Sequence, residues 1–427
     1  MRRLLLCVPL LISACAAAPQ SAMSSANTAA NDVRGSEVKI INPDTTPQVK
    51  FDAWKADFTN RALAKGYDPA LVIAVIAPAE LREDAIASND SQPEFTKPVW
   101  SYIDNAMNER RLNGGMAQLT AHEQMFNNIE RDFGVDRHTL TAIWGLESAY
   151  GDIQGNYDAI SALASFAFDG RRQKFGETQL FAILDLLANR KVRQDQLVSS
   201  WAGAMGMTQF IPSTFRDYAV DYNADGNIDL WNSPEDALAS AANYLSKSGW
   251  RRGEPVMTEI IFAPDFNFAL SDGRKMTVSE WRALGVSPVG GGAFTSSYAN
   301  MPARLYVPAG SRGPAFLTFK NFDAIKRYNN SSSYVTGITS LATGLSGQRL
   351  ISRPWPKDDK PLSLSQKKNM QTALTALGYD TQGVDGQIGP NSRKAIRAWQ
   401  AANGLAADGY IEQTLYARIV VAAGLLP

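Results

Sequence analysis

The chain has 427 residues, 45% hydrophobic and 20% charged, a globular composition that excludes a collagen-like, wholly disordered or polytopic membrane protein. Its 42 Lys and Arg balance 42 Asp and Glu, so no excess positive charge points to nucleic acid, and no nucleic-acid partner is expected. Cys7 and Cys15 are the only cysteines and His122 and His138 the only histidines, so the body of the chain has no disulfide, no cysteine nucleophile and no zinc site.

Arg2-Arg3 precedes an apolar run over 4–14, too short for the roughly 20 residues that span a bilayer. A short basic region, a short apolar region and small residues behind them read as a secretory signal. Leu11-Ile12-Ser13-Ala14-Cys15 resembles the bacterial lipobox, which makes 1–14 a signal peptide and Cys15 a lipidated N-terminus. Ala16 follows the cysteine, and it is not the Asp that often retains lipoproteins at the inner membrane, so the periplasmic face of the outer membrane is expected. The alternative is an ordinary signal peptide cleaved among Ala14 to Ala18, giving a soluble periplasmic protein. Residues 15–48, rich in Ala, Ser, Asn, Pro and Thr, cannot bury much apolar surface and read as a flexible tether.

From 49 to 345 the apolar pattern is mostly helical. Phe51, Trp54, Phe58 and Leu63 share one helix face. Asp68-Pro69 starts the next helix, since Asp caps and Pro suits the first turn. Further helical patterns cover 100–113, 119–133, 139–150, 178–187 and 234–248. Between about 250 and 320, Gly and Pro punctuate short segments such as 258–262, a small β excursion. The prolines and charges of 346–362 predict a linker, and 363–422 a second, small domain. The fold class expected is mainly α, with a little β.

Asp136 is a plausible cap for a helix in which Leu140, Ile143, Trp144 and Glu147 follow the i, i+3, i+4, i+7 rule. A carboxyl on that apolar stripe loses solvation, and its pKa rises toward the range a general acid needs. By periodicity alone, the plainer reading is a Glu at the helix end satisfied by a nearby Lys or Arg. Glu147-Ser148-Ala149-Tyr150-Gly151 and the run Ser200 to Ser213, containing Ala202-Gly203-Ala204-Met205-Gly206-Met207-Thr208-Gln209-Phe210-Ile211-Pro212-Ser213, narrow the choice. With Ser91-Gln92-Pro93-Glu94-Phe95 and Arg327-Tyr328-Asn329-Asn330-Ser331, they resemble in order the motifs of the membrane-bound lytic murein transglycosylase B family, over roughly 49–345.

That resemblance implies a lysozyme-like helical catalytic domain with Glu147 as catalytic acid. It places Ser200 and Gln209 near Glu147, orienting it or the sugars, and lines the glycan groove with Tyr244, Asn329 and Tyr334. Arg171 and Arg172 would approach peptide or lactyl carboxylates of the substrate, or form a solvated pair. Gly203 and Gly206 permit a tight loop, either for close approach to a ligand or for packing.

Asp221, Asn223, Asp225, Gly226 and Asn227 fall at positions 1, 3, 5, 6 and 7 of an EF-hand-type loop, Asn227 offering its backbone carbonyl. Position 12 is Asn232, where such a loop carries a bidentate Glu. The family resemblance implies a displaced last carboxylate, Asp236, with Glu235 the alternative. Hard oxygen donors favour a single structural calcium ion, and no organic cofactor is expected.

Residues 363–422 resemble the small three-helix peptidoglycan-binding domain through Leu377-Gly378-Tyr379, Val384-Asp385-Gly386-Gln387-Ile388-Gly389-Pro390 and Trp399-Gln400, with a shorter echo at Ala407-Asp408-Gly409-Tyr410-Ile411. In the echo Glu412-Gln413 stand where Gly-Pro is common. The expected partners are peptidoglycan glycan strands and, through the lipid, the outer membrane. The expected reaction splits the β-1,4 bond between N-acetylmuramic acid and N-acetylglucosamine without water, giving 1,6-anhydromuramyl ends, with Glu147 as acid and then base. The competing readings are a hydrolytic muramidase, which needs a positioned water and usually a second carboxylate, and a catalytically silent wall-binding scaffold.

Overall fold

The computed structural model describes residues 46–90 and 98–425, so the expectations for 1–45, including Cys15, and for the motif at 91–95 lie outside the described residues. Among the described residues there are seventeen α-helices and seven short strands, in agreement with the mainly α class. The first helices begin where capping chemistry puts them. Thr46 caps α1 (Pro47–Ala64) and Asp68 caps α2 (Pro69–Ile76), each side chain accepting the backbone N–H three residues on. Helix α1 therefore starts inside the stretch expected to be tether.

Helix α3 (Glu83–Asp90) is followed by a correction. The pattern over 100–113 is two helices, α4 (Val99–Ala106) and α5 (Glu109–Ala121). The apolar repeat runs through the break, but Asn108 turns its Oδ1 onto the Arg111 N–H at 2.8 Å and restarts the helix. The pattern over 119–133 is likewise cut at His122, where α5 ends and α6 (Glu123–Phe133) begins. Helices α8 (Ala159–Asp169), α9 (Gln173–Ala188), α10 (Pro212–Tyr218) and α11 (Pro234–Lys247) pack in succession, α8 on α9, α9 on α10 and α10 on α11, and α11 reaches α7 (Arg137–Ser148).

Helix α7 is the centre of the domain. It packs against α14 (Ser332–Leu345), α5, α6 and α11, and every residue from Thr139 to Leu146 is buried. The Leu140–Ile143–Trp144 stripe is therefore not a boundary between core and solvent. Burial on all faces marks a core helix, and Glu147 sits at its end rather than on one wet edge.

The helix stops in a strained turn. Ala149 has φ +51°, Tyr150 +65° and Gly151 +95°, so two non-glycine residues hold left-handed backbone in succession. Tyr150 fixes the turn. Its ring lies against Gly145, Gly114 and Gly115, where an added Cβ would come within 2.5, 2.7 and 2.6 Å of it. Its hydroxyl donates to the Arg111 carbonyl at 2.5 Å, and Arg111 Nε donates in turn to the Gly145 carbonyl at 2.9 Å.

The β excursion is larger than 258–262 alone predicts. Strand β3 (Met257–Phe262) lies in a five-stranded antiparallel sheet with β4 (Met276–Thr277), β5 (Val286–Pro288), β6 (Pro302–Tyr306) and β7 (Ala315–Thr318), in the order β4-β6-β7-β3-β5. Its core of Ile260, Trp281, Val286, Leu305 and Leu317 is separate from the helical core. A two-stranded pair, β1 (Tyr157–Asp158) with β2 (Val198–Ser199), braces the entry to the loop that follows. Beyond the sheet and α12 (Val278–Ala283), α13 (Lys320–Tyr328) leads into α14.

Residues 346–362 carry no helix or strand, as a linker would, yet they have fixed partners. The buried carboxylate of Glu259 accepts the Ser352 N–H, the Ser352 hydroxyl and the Arg353 N–H at 2.7, 2.6 and 3.0 Å, and Trp355 packs on Trp100. Helices α15 (Leu364–Ala376), α16 (Pro390–Ala402) and α17 (Gln413–Ala422) then enclose a small core of Met370, Leu374, Ile396, Trp399 and Ile419.

The three-glycine slot yields a stability prediction. Gly145→Ala puts a methyl group inside the Tyr150 ring, and overpacking of this kind costs about 1–3 kcal/mol. Urea denaturation should show that loss. Unchanged stability would mean that Tyr150 does not fix the turn.

Candidate active site

The end of α7 and the start of α14 meet at Glu147. Asn329 and Ser331 make that meeting possible. After α13, Asn329 Oδ1 accepts the Ser331 N–H at 3.1 Å, and Ser331 Oγ accepts the Tyr334 N–H at 3.3 Å, capping α14. The turn places Tyr334 in the first helical turn, where its hydroxyl donates to Glu147 Oε1 at 2.6 Å. Asn329 is itself buried, so its role here is to shape the turn.

Burial pushes the Glu147 carboxyl up to about 8, against the opposing pull of the Tyr334 hydrogen bond. The residue nonetheless keeps part of its surface open to solvent. A partly reachable carboxyl that holds its proton at neutral pH can act as a general acid. Tyr328 and Tyr334 are raised well above their ordinary range, first by burial and then by the charge of Glu147.

The tyrosines form a column. Tyr334 lies parallel to Tyr328 at 6.5 Å, Tyr328 meets Tyr244 edge-on at 5.3 Å, and Tyr244 meets Tyr218 edge-on at 4.8 Å. The Tyr244 hydroxyl donates to the Arg327 carbonyl at 2.6 Å. Tyr328 is a residue that the pattern-based reading did not single out. It lay inside a quoted motif, but only the fold shows that it supports Tyr334 and reaches the loop at 200–210.

That loop is a compact double turn. The Ser200 N–H donates to the Ala204 carbonyl at 2.8 Å, and Met205 and Phe210 exchange backbone hydrogen bonds at 2.9 and 3.0 Å. Ser200 Oγ accepts the Ala202 and Ala204 N–H groups, while Gln209 Nε2 donates to the carbonyls of Gly206 and Gln154. Both side chains hold the loop's own backbone, and among the described residues neither hydrogen-bonds to Glu147. Gly206 answers the choice left open for the loop glycines. An added Cβ would stand 2.5 Å from the Leu230 carbonyl oxygen, so close packing requires the glycine.

Two bonds join the loop to the acid. Ser148 Oγ, next to Glu147, donates to the Met207 carbonyl at 2.7 Å, and the Tyr328 hydroxyl donates to the Thr208 carbonyl at 2.5 Å. The two arginines have different surroundings. Arg171 pairs with Asp169 at 2.7 Å, and the buried Arg172 guanidinium stacks on Phe175 at 4.2 Å and Phe166 at 5.4 Å.

The oxygen-rich loop is curled as its spacing predicts. Asp221 accepts the N–H groups of Asp225 and Gly226, Asn223 Oδ1 accepts that of Asp225, and Asp225 Oδ1 accepts that of Asn227. Asp236 is buried and accepts N–H groups of Tyr222, Asn223 and Asp229, with its carboxyl raised by burial. Among the described residues no three His, Cys, Asp or Glu side chains converge as a metal-binding group. The donor chemistry of Asp221, Asn223, Asp225 and Asp236, all hard oxygens around one turn, still fits calcium in kind.

Comparison with known proteins identifies the family. The transglycosylase SLT domain family matches residues 50–343, and the peptidoglycan binding domain family matches residues 365–419. Membrane-bound lytic murein transglycosylase B of Escherichia coli is 28% identical over 301 residues, covering 67% of this chain and 80% of the relative. A crystal structure of SltB3 from Pseudomonas aeruginosa in complex with NAG-anhNAM-pentapeptide shares 42% identity and a TM-score of 0.83, over 86% of this chain and 99% of that chain. An Escherichia coli lytic transglycosylase in complex with calcium shares 25% identity and a TM-score of 0.60, over 69% of this chain and 92% of that chain. With its lysozyme-like catalytic fold, the chain belongs to the SLT-domain transglycosylase family and is a peptidoglycan lytic transglycosylase.

Proposed function

We propose that Glu147 alone supplies the acid and the base for non-hydrolytic cleavage of the N-acetylmuramic acid–β-1,4–N-acetylglucosamine bond. The observation that carries this reading is the isolation of its carboxyl: burial raises it to about 8, and its one hydrogen bond among the described residues comes from Tyr334. Protonated Glu147 gives its proton to the glycosidic oxygen as that oxygen leaves muramyl C1. The neighbouring N-acetyl group assists as positive charge develops at C1. The resulting carboxylate takes the proton from the muramyl C6 hydroxyl, and O6 closes on C1 to give the 1,6-anhydro ring. No water enters, and no second carboxylate at the roughly 5–9.5 Å spacings of hydrolytic glycosidases is needed. Tyr334 holds Oε1, which orients the carboxyl and leaves Oε2 toward the sugar. Tyr244 and the exposed guanidinium of Arg171 are candidates for the flanking sugars and peptide.

Glu147→Gln preserves shape and loses both proton transfers. Activity on sacculi should fall at least about 10²–10⁴-fold, the usual scale of acid–base catalysis. In ¹⁸O-labelled water the wild type should release unlabelled anhydromuramyl ends, and its rate should decline as pH rises through about 8, where Glu147 loses its proton. Labelled reducing ends would establish the hydrolytic muramidase instead.

Calcium at the 221–236 loop is part of the same proposal. Asp221, Asn223, Asp225, the Asn227 carbonyl and Asp236 would hold it, and its charge would offset those of the aspartates. A ligand that binds only the folded state adds about 2.7 kcal/mol at 100 times its dissociation constant. Calcium added after chelation should raise the melting temperature, and Asp225→Ala should remove the rise. No shift in the wild type would refute the site.

The small domain is read as a wall-binding module, on the support of its family match over 365–419. Among the described residues no helix is long and apolar enough to cross a membrane. The lipobox-like residues support attachment to the outer membrane through Cys15. Cys15→Ser should then release the protein from the membrane fraction; a variant still pelleting with membranes would rule the anchor out.

A further inference from the structure

The small domain contains the same clasp twice. In the first, Gln371 Nε2 donates to Asp385 Oδ1 at 3.1 Å, the Gly386 N–H donates to Gln371 Oε1 at 2.7 Å, and the Gln387 N–H donates to Asp385 Oδ1 at 2.7 Å. In the second, Gln400, Asp408, Gly409 and Tyr410 repeat these bonds at 2.9, 2.8 and 2.9 Å. Both glycines are left-handed, at φ +80° and +70°. The repeat extends to the helix one turn back: Leu364 and Lys368 border Gly386 as Arg393 and Arg397 border Gly409. In each clasp Oδ1 closes the turn and Oδ2 is left over.

The two leftover oxygens have different surroundings. Asp408 Oδ2 accepts the backbone N–H of Ser311, from the catalytic domain, at 2.8 Å. The residue before that N–H is Gly310, with φ +63°, and an L-type Cβ on it would lie 2.5 Å from the same oxygen. The docked segment is thus a peptide whose key residue holds left-handed backbone and cannot carry an L side chain. A D-residue adopts that φ without strain and points its Cβ away from the carboxylate. Asp385 Oδ2 accepts from no described residue. Asp385 and Lys368 are exposed, and beside them Leu364 and Val384 are 61% and 47% exposed. The residue matching Val384 in the second clasp, Ala407, is buried.

We infer that the first clasp is a binding site for a peptide bearing a D-residue, whose following N–H bonds to Asp385 Oδ2. Leu364 and Val384 cover its apolar side, and Lys368 faces its carboxylates. The second clasp already holds an internal stand-in for that ligand, the Gly310–Ser311 segment. Alternation of D- and L-residues distinguishes wall stem peptides from ribosomal ones, so the inference rests on the reading of this domain as a wall-binding module and names what it grips there.

Hydrogen exchange by mass spectrometry on the full-length Glu147→Gln protein, mixed with soluble peptidoglycan fragments, tests it. The 384–387 amides should be protected, acetyl-Ala-D-Ala-Ala-amide should reproduce the protection, and the all-L peptide should not. Asp385→Asn keeps Oδ1 for the clasp and replaces Oδ2 by a donor. It should weaken binding about tenfold, the scale of one hydrogen bond to a charged acceptor. Protection elsewhere in 363–422 but not at 384–387 would overturn the clasp as the site while leaving the wall-binding reading standing. No protection anywhere in 363–422 would overturn both, and equal protection by the all-L peptide would overturn the D-residue requirement.

Discussion

A single hydrogen bond, from the Tyr334 hydroxyl to the Glu147 carboxyl, joins residues 187 positions apart at 2.6 Å. A carboxyl in that setting is hard to ionise, and an unsupported one would be a plain defect of the core. The surrounding elements make it usable. Helix α7 is buried on all sides, so Glu147 is reachable only at the helix end. The left-handed turn at 149–151 ends the helix there, and Tyr150, seated against three glycines, holds the turn. From the other side, Asn329 and Ser331 aim α14 so that Tyr334 arrives at hydrogen-bonding distance. The loop at 200–210 is pinned to both halves through the carbonyls of Met207 and Thr208.

This arrangement gives the small residues of the motifs a mechanical meaning. Gly145 makes room for Tyr150, and Gly206 makes room for the Leu230 carbonyl. Ser200 and Gln209 carry the polar chemistry that closes a loop too short for regular strands. The loop they close presents the carbonyls of Met207 and Thr208 to Ser148 and Tyr328.

Much of this was legible in the sequence where chemistry is local. Asp68 and Asp136 cap helices because a short acceptor precedes an apolar repeat, and both do so in the structure. Glu147 stood out as a carboxyl on an apolar face. Less was legible where the cause is distant. The breaks at Asn108 and His122 are hidden by an apolar repeat that runs through them. Nothing local marks Gly114 and Gly115 as the space that Tyr150, far along the chain, fills. Arg172 read as a carboxylate ligand or one of a solvated pair, and spacing does not reveal that Phe166 and Phe175 give its guanidinium a stacking surface. Of the β3–β7 sheet only the 258–262 segment was named, and β4 and β5, two and three residues long, are below the length at which alternation can be read.

The central claim is that Glu147 holds its proton at neutral pH within the folded enzyme. Difference infrared spectroscopy of the wild type against Glu147→Gln, across a pH series, observes that carboxyl directly. The account predicts a protonated carboxyl C=O band assignable to Glu147 that persists at pH 7 and disappears through about 8. A Glu147 band that is lost near the ordinary Glu value of about 4.3 would contradict it.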